Sequence, residues 1–176
     1  NSAFSTQLKI AAMYEKNEDK DGEIGMWRRF MGLGNAIHIF NPQNTVPEIY
    51  STVMHELAHA SHWNLSSRKS DYNDNSDTNN RVCESWAVGV GNMLTQQKYP
   101  FWQGESYPIQ FKCYTQVVVD MSDTEEDNIA ERNYGKNRLE GDNVSGYTLR
   151  QIEDCLDGST SFEKWRDKIR GSYLDN

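Results

Sequence analysis

His55-Glu56-Leu57-Ala58-His59 decides how this chain is read. On an α-helix, positions i and i+4 lie one above the other, so His55 and His59 project from one face and can approach a single ion. Glu56, about 100° around the same helix, can reach a water held there. This HExxH spacing lets one helix offer zinc two imidazoles and place a general base beside them. All four histidines of the 176-residue chain, His38, His55, His59 and His62, fall within one short window. Purely structural histidines would have no reason to cluster in this way.

The flanks predict a helix that carries the motif. Thr45-Val46-Pro47-Glu48 has the form of a capping box, with Thr45 as N-cap, Glu48 reaching back to its amide, and Pro47 tolerated in the first turn. The helix is therefore expected from Val46 to about Trp63 or Asn64. Ile49, Tyr50, Val53, Met54, Leu57 and Ala58 recur at spacings of three and four, which makes an apolar stripe beside the histidine face. Residues 66–80 then lose nearly all apolar character and read as a solvated connector, with the option of a mobile flap over the site. Asp71 to Asp77 imitates the first half of a calcium loop, but Ser76 and Val82 stand where the glycine and the closing glutamate belong.

Two histidines do not complete a catalytic zinc site, which takes three protein ligands and leaves one position open. The first candidate for the third is Glu84 in Cys83-Glu84-Ser85-Trp86-Ala87, at the start of a second apolar helix expected to run to about Leu94. The small Ala87 one turn on would let the two helices approach closely. His62 and Cys83 are the alternatives. His62 shares the face of His55 and His59, but residues seven apart are separated by about 10 Å along a straight helix, too far for one tetrahedral ion. Cys83 and Glu84, as helical neighbours, point about 100° apart, so only one can face the metal.

The combination of HExxH with a downstream ExxA glutamate resembles the gluzincin branch of the zincin metallopeptidases, over about a third of the chain. The resemblance implies an α+β zincin-like fold, with a small N-terminal sheet packed on the active-site helix and a mainly helical C-terminal half. It implies zinc ligands His55, His59 and Glu84, with Glu56 as general base. It further implies that the strand before the metal helix lines the cleft and pairs with an extended substrate, and that a donor from beyond the second helix steadies the transition state. Tyr134 and Tyr147 are guesses for that donor, which no motif selects.

Ala36 to Phe40 is the β-favouring run in the position of that strand, with His38 within it; Leu8 to Tyr14 and Ile24 to Met31 read as further strands about the polar turn Lys16 to Gly22. After Leu94 the expectation is helical: a buried helix over Phe111 to Met121, another over Thr148 to Leu156, and a last one behind a Thr160-Ser161-Phe162-Glu163 capping box, with Trp165 and Ile169 inward.

Length and composition bound the rest. A chain of 176 residues suits one domain, divided as residues 1–64 (sheet and metal helix) and 65–176 (helical part). No apolar stretch reaches the length of a membrane span and no signal peptide is visible. Net charge −8 and pI near 5.0 disfavour nucleic acid, which needs clustered Lys and Arg. Cys83, Cys113 and Cys155 permit at most one disulfide. Loops rich in Asn, Ser, Asp and Tyr lean towards an extracytoplasmic or secreted protein.

The function expected from these readings is a zinc metallopeptidase acting on peptide or protein substrates, in which Glu56 takes a proton from a zinc-activated water and passes it to the leaving amine. A non-catalytic zincin-like binding module, or a zinc hydrolase of a non-peptide amide, are the alternatives. The intact Glu56 favours catalysis, because a structural zinc needs no base.

Overall fold

The computed structural model describes residues 8–25, 37–73, 76–102, 104, 113–122 and 145–173. Three short strands, β1 (Ile10–Ala12), β2 (Gly22–Ile24) and β3 (Ile37–Ile39), precede six described helices. These are α1 (Val46–Leu65), α2 (Lys69–Tyr72), α3 (Asp77–Lys98), α4 (Val117–Ser122), α5 (Leu149–Asp154) and α6 (Phe162–Tyr173). The class is α+β and mostly helical, as expected. No described helix is long and apolar enough to cross a membrane.

The sheet has the order β1-β3-β2, with β1 parallel and β2 antiparallel to β3. Alternation along β3 buries Ile37 and Ile39 on one face and puts His38 on the other. Gly22 and Ile24 pair with Ile39 and Ile37 and so share the buried face, which lies against α1, while Glu23 sits beside His38 on the far face. His38 therefore does not line the space under α1; its Nδ1 pairs with Glu23 Oε1 at 2.9 Å. The expectation that β3 offers its backbone to a substrate is corrected by this topology. Both edges of β3 are already occupied, by β1 and by β2. The strand expected over Ile24 to Met31 coincides with β2 only at Ile24, since β2 begins inside the predicted turn, and residues 26–36 lie outside those described.

Asn41 holds this corner together. It adopts a left-handed φ of 56°, which Asn tolerates better than most residues. Its side-chain oxygen accepts from the Asn17 amide at 2.7 Å, and its Nδ2 donates to the Lys20 carbonyl and to Asp21. The 15–22 turn is thus tied to the link between β3 and α1, and β2 is delivered against the helix.

α1 starts where the cap predicts. The Glu48 carboxylate accepts from the Thr45 amide at 2.6 Å and from its hydroxyl at 2.8 Å. It ends at Leu65, where Lys69 donates to the carbonyls of Trp63, Asn64 and Ser66 and lies over the Trp63 ring. The buried face is not the predicted apolar stripe, of which only Ala58 is fully buried. Ser51, Thr52, Glu56, Ala58, His59, Ala60 and His62 are buried instead, because α1 is covered by β2 on its Glu56 side and by α3 on its histidine side.

α3 begins seven residues before Glu84 rather than at it. Ser76 caps it by accepting from the Asn79 amide at 3.3 Å, and the buried Asn79 donates to the Tyr72 carbonyl at 3.1 Å. Its polar first turns hide the helical period. α1 and α3 run antiparallel, since Gly91 lies near Ser51 and His55 whereas Trp86 Nε1 donates to the Ala58 carbonyl at 3.1 Å. Trp86, Val82, Ala87 and Val90 join Val118, Met121, Ile152, Leu156, Trp165 and Ile169 in the main core, which brings α4, α5 and α6 onto α3. The buried helix expected over Phe111 to Met121 is confined, within the described residues, to Val117–Ser122. The last helix is capped one residue later than predicted: Ser161, not Thr160, accepts from the Lys164 amide at 3.3 Å.

Candidate metal centre

The i, i+4 geometry of α1 brings His55 Nε2 and His59 Nε2 to 3.1 Å from each other. From the antiparallel α3, Glu84 Oε2 comes to 3.4 Å from each of these nitrogens. Among the described residues, His55, His59 and Glu84 are the group of metal-ligating side chains whose donor atoms converge, and they could hold a metal ion. The helices come close enough because the α1-facing stripe of α3 is small. Glu84, Ala87 and Gly91 follow at three and four residues, Ala87 is fully buried, and a Cβ on Gly91 would stand 3.2 Å from the Ser51 carbonyl oxygen.

Electrostatics single out Glu84. Burial pushes its carboxyl up, but the His59 and His55 imidazoles beside it outweigh burial and hold it below the ordinary carboxylate range. Oε2 is fully buried and has no hydrogen-bond donor. An ionised oxygen in that position costs several kcal/mol unless a positive charge faces it. His59 shows the reciprocal effect: burial alone would lower it, yet the Glu84 charge raises it above its ordinary value.

Glu56 lies on the neighbouring face, 6% exposed. Its carboxyl rests on the bare backbone of β2, where a Cβ on Gly22 would stand 2.7 Å from Glu56 Oε1 and 2.7 Å from Thr52 Cγ2. Burial raises its pKa, and the nearby His59 and His55 oppose that rise. A carboxylate tuned upward is a better proton acceptor, which is what a general base near neutral pH requires.

The rival ligands are placed elsewhere. His62 is buried against the Tyr72 ring, with centroids 5.1 Å apart, and burial drives its pKa down to about 3. Cys83 is buried as a thiol pushed up to about 12. Neither belongs to the converging group. Asp71 and Asp77 fall in different helices, α2 and α3. Tyr147 packs on the main core beside Tyr173, and Tyr134 lies outside the described residues.

Two tyrosines that sequence reasoning passed over adjoin the cluster. Tyr114 sets its ring edgewise to His55, with centroids 6.1 Å apart at 85°. The Tyr72 hydroxyl is held well above its ordinary pKa by burial, with Cys83, Glu84 and Glu56 adding to the rise. Neither stands in a spacing that marks it, because each arrives through tertiary packing. Gly22 and Gly91 were visible only as glycines.

No family model, curated protein or solved structure matches the chain. The geometry of the site therefore carries the functional argument.

Proposed function

We propose that this protein is a zinc-dependent peptidase whose metal is held by His55, His59 and Glu84 and whose general base is Glu56. The observation that carries the reading is the buried Glu84 Oε2, without a hydrogen-bond donor and 3.4 Å from both imidazole nitrogens. Tetrahedral zinc with bonds of about 2.0–2.1 Å requires its ligand atoms to be about 3.3–3.4 Å apart. The three separations of 3.1, 3.4 and 3.4 Å fit that donor set.

Zinc in this site supplies Lewis-acid polarisation of a carbonyl and makes a water acidic near neutral pH. The chain's own residues supply the rest. His55 and His59, fixed one turn apart on α1, and Glu84 on α3 would hold the ion with three donor atoms and leave its fourth position for water or a substrate oxygen. Glu56, resting beside Thr52 on the β2 backbone at Gly22, accepts a proton from water and delivers it to the leaving amine. Among the described residues β2 is paired on one edge only, so an extended peptide added there would run past Glu56.

The test is metal content together with hydrolysis of a peptide library by the full chain, with Glu56→Gln and Glu84→Ala in parallel. One zinc per chain, turnover lost with zinc retained in Glu56→Gln, and zinc lost in Glu84→Ala are the expected results. Zinc without hydrolysis of any peptide would leave a binding module or a hydrolase of another amide. Absence of zinc from every preparation would end the metal reading.

A further inference from the structure

We propose that Tyr114 is a positioning residue of the metal centre: its ring, clamped to α3 through Ser85, fixes the orientation of the His55 imidazole. The inference rests on the metal reading above and extends it to a residue outside the ligand set.

Residues 113–116 belong to no helix or strand, yet they are tied to α3 on both sides of Tyr114. Ser85 Oγ donates to the Cys113 carbonyl at 3.2 Å, and Thr115 Oγ1 donates to Ser85 Oγ at 2.7 Å. Ser85 is fully buried and directly follows Glu84, so the clamp is anchored beside a ligand. The clamped ring meets His55 in the edge-to-face arrangement that aromatic pairs favour.

His55 needs such a neighbour. It is the less buried of the two histidines, with a side chain 14% exposed against 8% for His59. The imidazole χ2 torsion is broad and roughly two-fold, so rotamer preference alone does not aim Nε2. Four neighbours restrict it, the first being Glu84 Oε2 at 3.4 Å from its Nε2. Gly91 lies against its Cβ, the His59 ring stands 4.7 Å away at 79°, and Tyr114 closes a further side. Removing Tyr114 loosens the ring in the metal-free protein, and the ordering cost then falls on metal binding. Outer partners of metal-ligating histidines typically govern affinity by 10–100-fold.

The experiment is cobalt(II) and zinc(II) titration of the chelator-stripped full chain and of Tyr114→Phe, Tyr114→Ala and Thr115→Val, with the thermal midpoint of each metal-free protein measured alongside. Tyr114→Phe, which keeps the ring, is expected within about two-fold of the parent. Tyr114→Ala is expected to bind about 10–100-fold more weakly, with a changed cobalt visible spectrum that an intact His55 geometry would not give. Thr115→Val keeps the side-chain shape and breaks one of the clamp's two hydrogen bonds, so it should weaken binding in the same direction; it carries the test if Tyr114→Ala fails to fold. Parental affinity in both Tyr114→Ala and Thr115→Val overturns the inference and leaves the metal reading standing. Equal loss in Tyr114→Phe and Tyr114→Ala overturns it in favour of the hydroxyl. A parent chain that takes up neither ion overturns the metal reading, and the role of Tyr114 with it.

Discussion

Gly22→Ala is the most informative single substitution, because it presses on Glu56 without touching His55, His59 or Glu84. Gly22 has a backbone conformation that any residue adopts, so alanine adds no strain of its own there. Its new Cβ would meet Glu56 Oε1 and Thr52 Cγ2 at 2.7 Å and Glu56 Cγ at 3.0 Å. Ordinary contact begins at 3.4 Å, so the carboxyl tip must retreat by about 0.7 Å, or β2 must lift off α1. A misplacement of about 1 Å in a catalytic group can cost on the order of 100-fold in rate. We therefore expect kcat for peptide hydrolysis to fall by roughly 10–100-fold. Overpacking at this contact adds about 1–3 kcal/mol of destabilisation, or a few degrees in Tm at about 2–4 °C per kcal/mol. Zinc stoichiometry should stay at the parental value, since His55, His59 and Glu84 lie on other faces. The assay is kcat and KM on a peptide substrate, with metal content and Tm on the same preparation. A Gly22→Ala protein with parental kcat would show that Glu56 does not act from its place against β2, and the assignment of the base would have to be abandoned.

Four further outcomes are expected. Glu84→Gln keeps the shape but removes the charge, so metal affinity should drop by at least 10-fold in a zinc titration; undiminished binding would place the third ligand elsewhere. In the metal-free protein the pair that Glu84 forms with His59 should make Glu84→Gln less stable than the parent. The depressed Glu84 contributes above the ordinary carboxylate range and the raised His59 contributes below the ordinary imidazole range. The parent's advantage should hold between those limits and fade as pH rises through the folded pKa of His59, which urea midpoints from pH 5 to 9 will show. His62, depressed from 6.5 to about 3 by burial, takes up a proton more readily in the unfolded chain. Its contribution is complete above about pH 6.5 and is lost on acidification at up to about 1.4 kcal/mol per pH unit; His62→Leu should flatten that slope, and an unchanged slope would contradict the burial. Gly89→Ala would put a Cβ 2.4 Å from Val118 Cβ, so α3 and α4 must part. A loss of about 1–3 kcal/mol is expected in chemical denaturation, with the metal site intact.

What the sequence made legible is what helical periodicity alone determines. The i, i+4 spacing of His55 and His59 needs only a helix, and Thr45 and Glu48 announce that helix through a local cap. Glu84 with Ala87 was readable for the same reason, as a carboxylate and a small neighbour one turn apart on one face. The start of α3 was not, because Asp77 to Arg81 carry no apolar repeat and are held helical by Ser76 and by the bond from Asn79 to the Tyr72 carbonyl. The buried side of α1 was misread because an apolar stripe marks a core only when nothing else competes for it. Here the competitors are two glycines: Gly22 lets a strand close on Glu56, and Gly91 lets α3 close on His55. A missing side chain has no periodicity to detect, and its effect appears only when the partner element is in place. Tyr114 is the same problem seen from the other side, since its meeting with His55 depends on Ser85 and Thr115 holding a stretch without regular structure. The residues of the proposed centre are therefore a local property of the chain, and their orientation is a tertiary one. Substitutions at His55, His59 or Glu84 should abolish metal binding, whereas substitutions at Gly22, Gly91 or Tyr114 should grade it or the rate that depends on it.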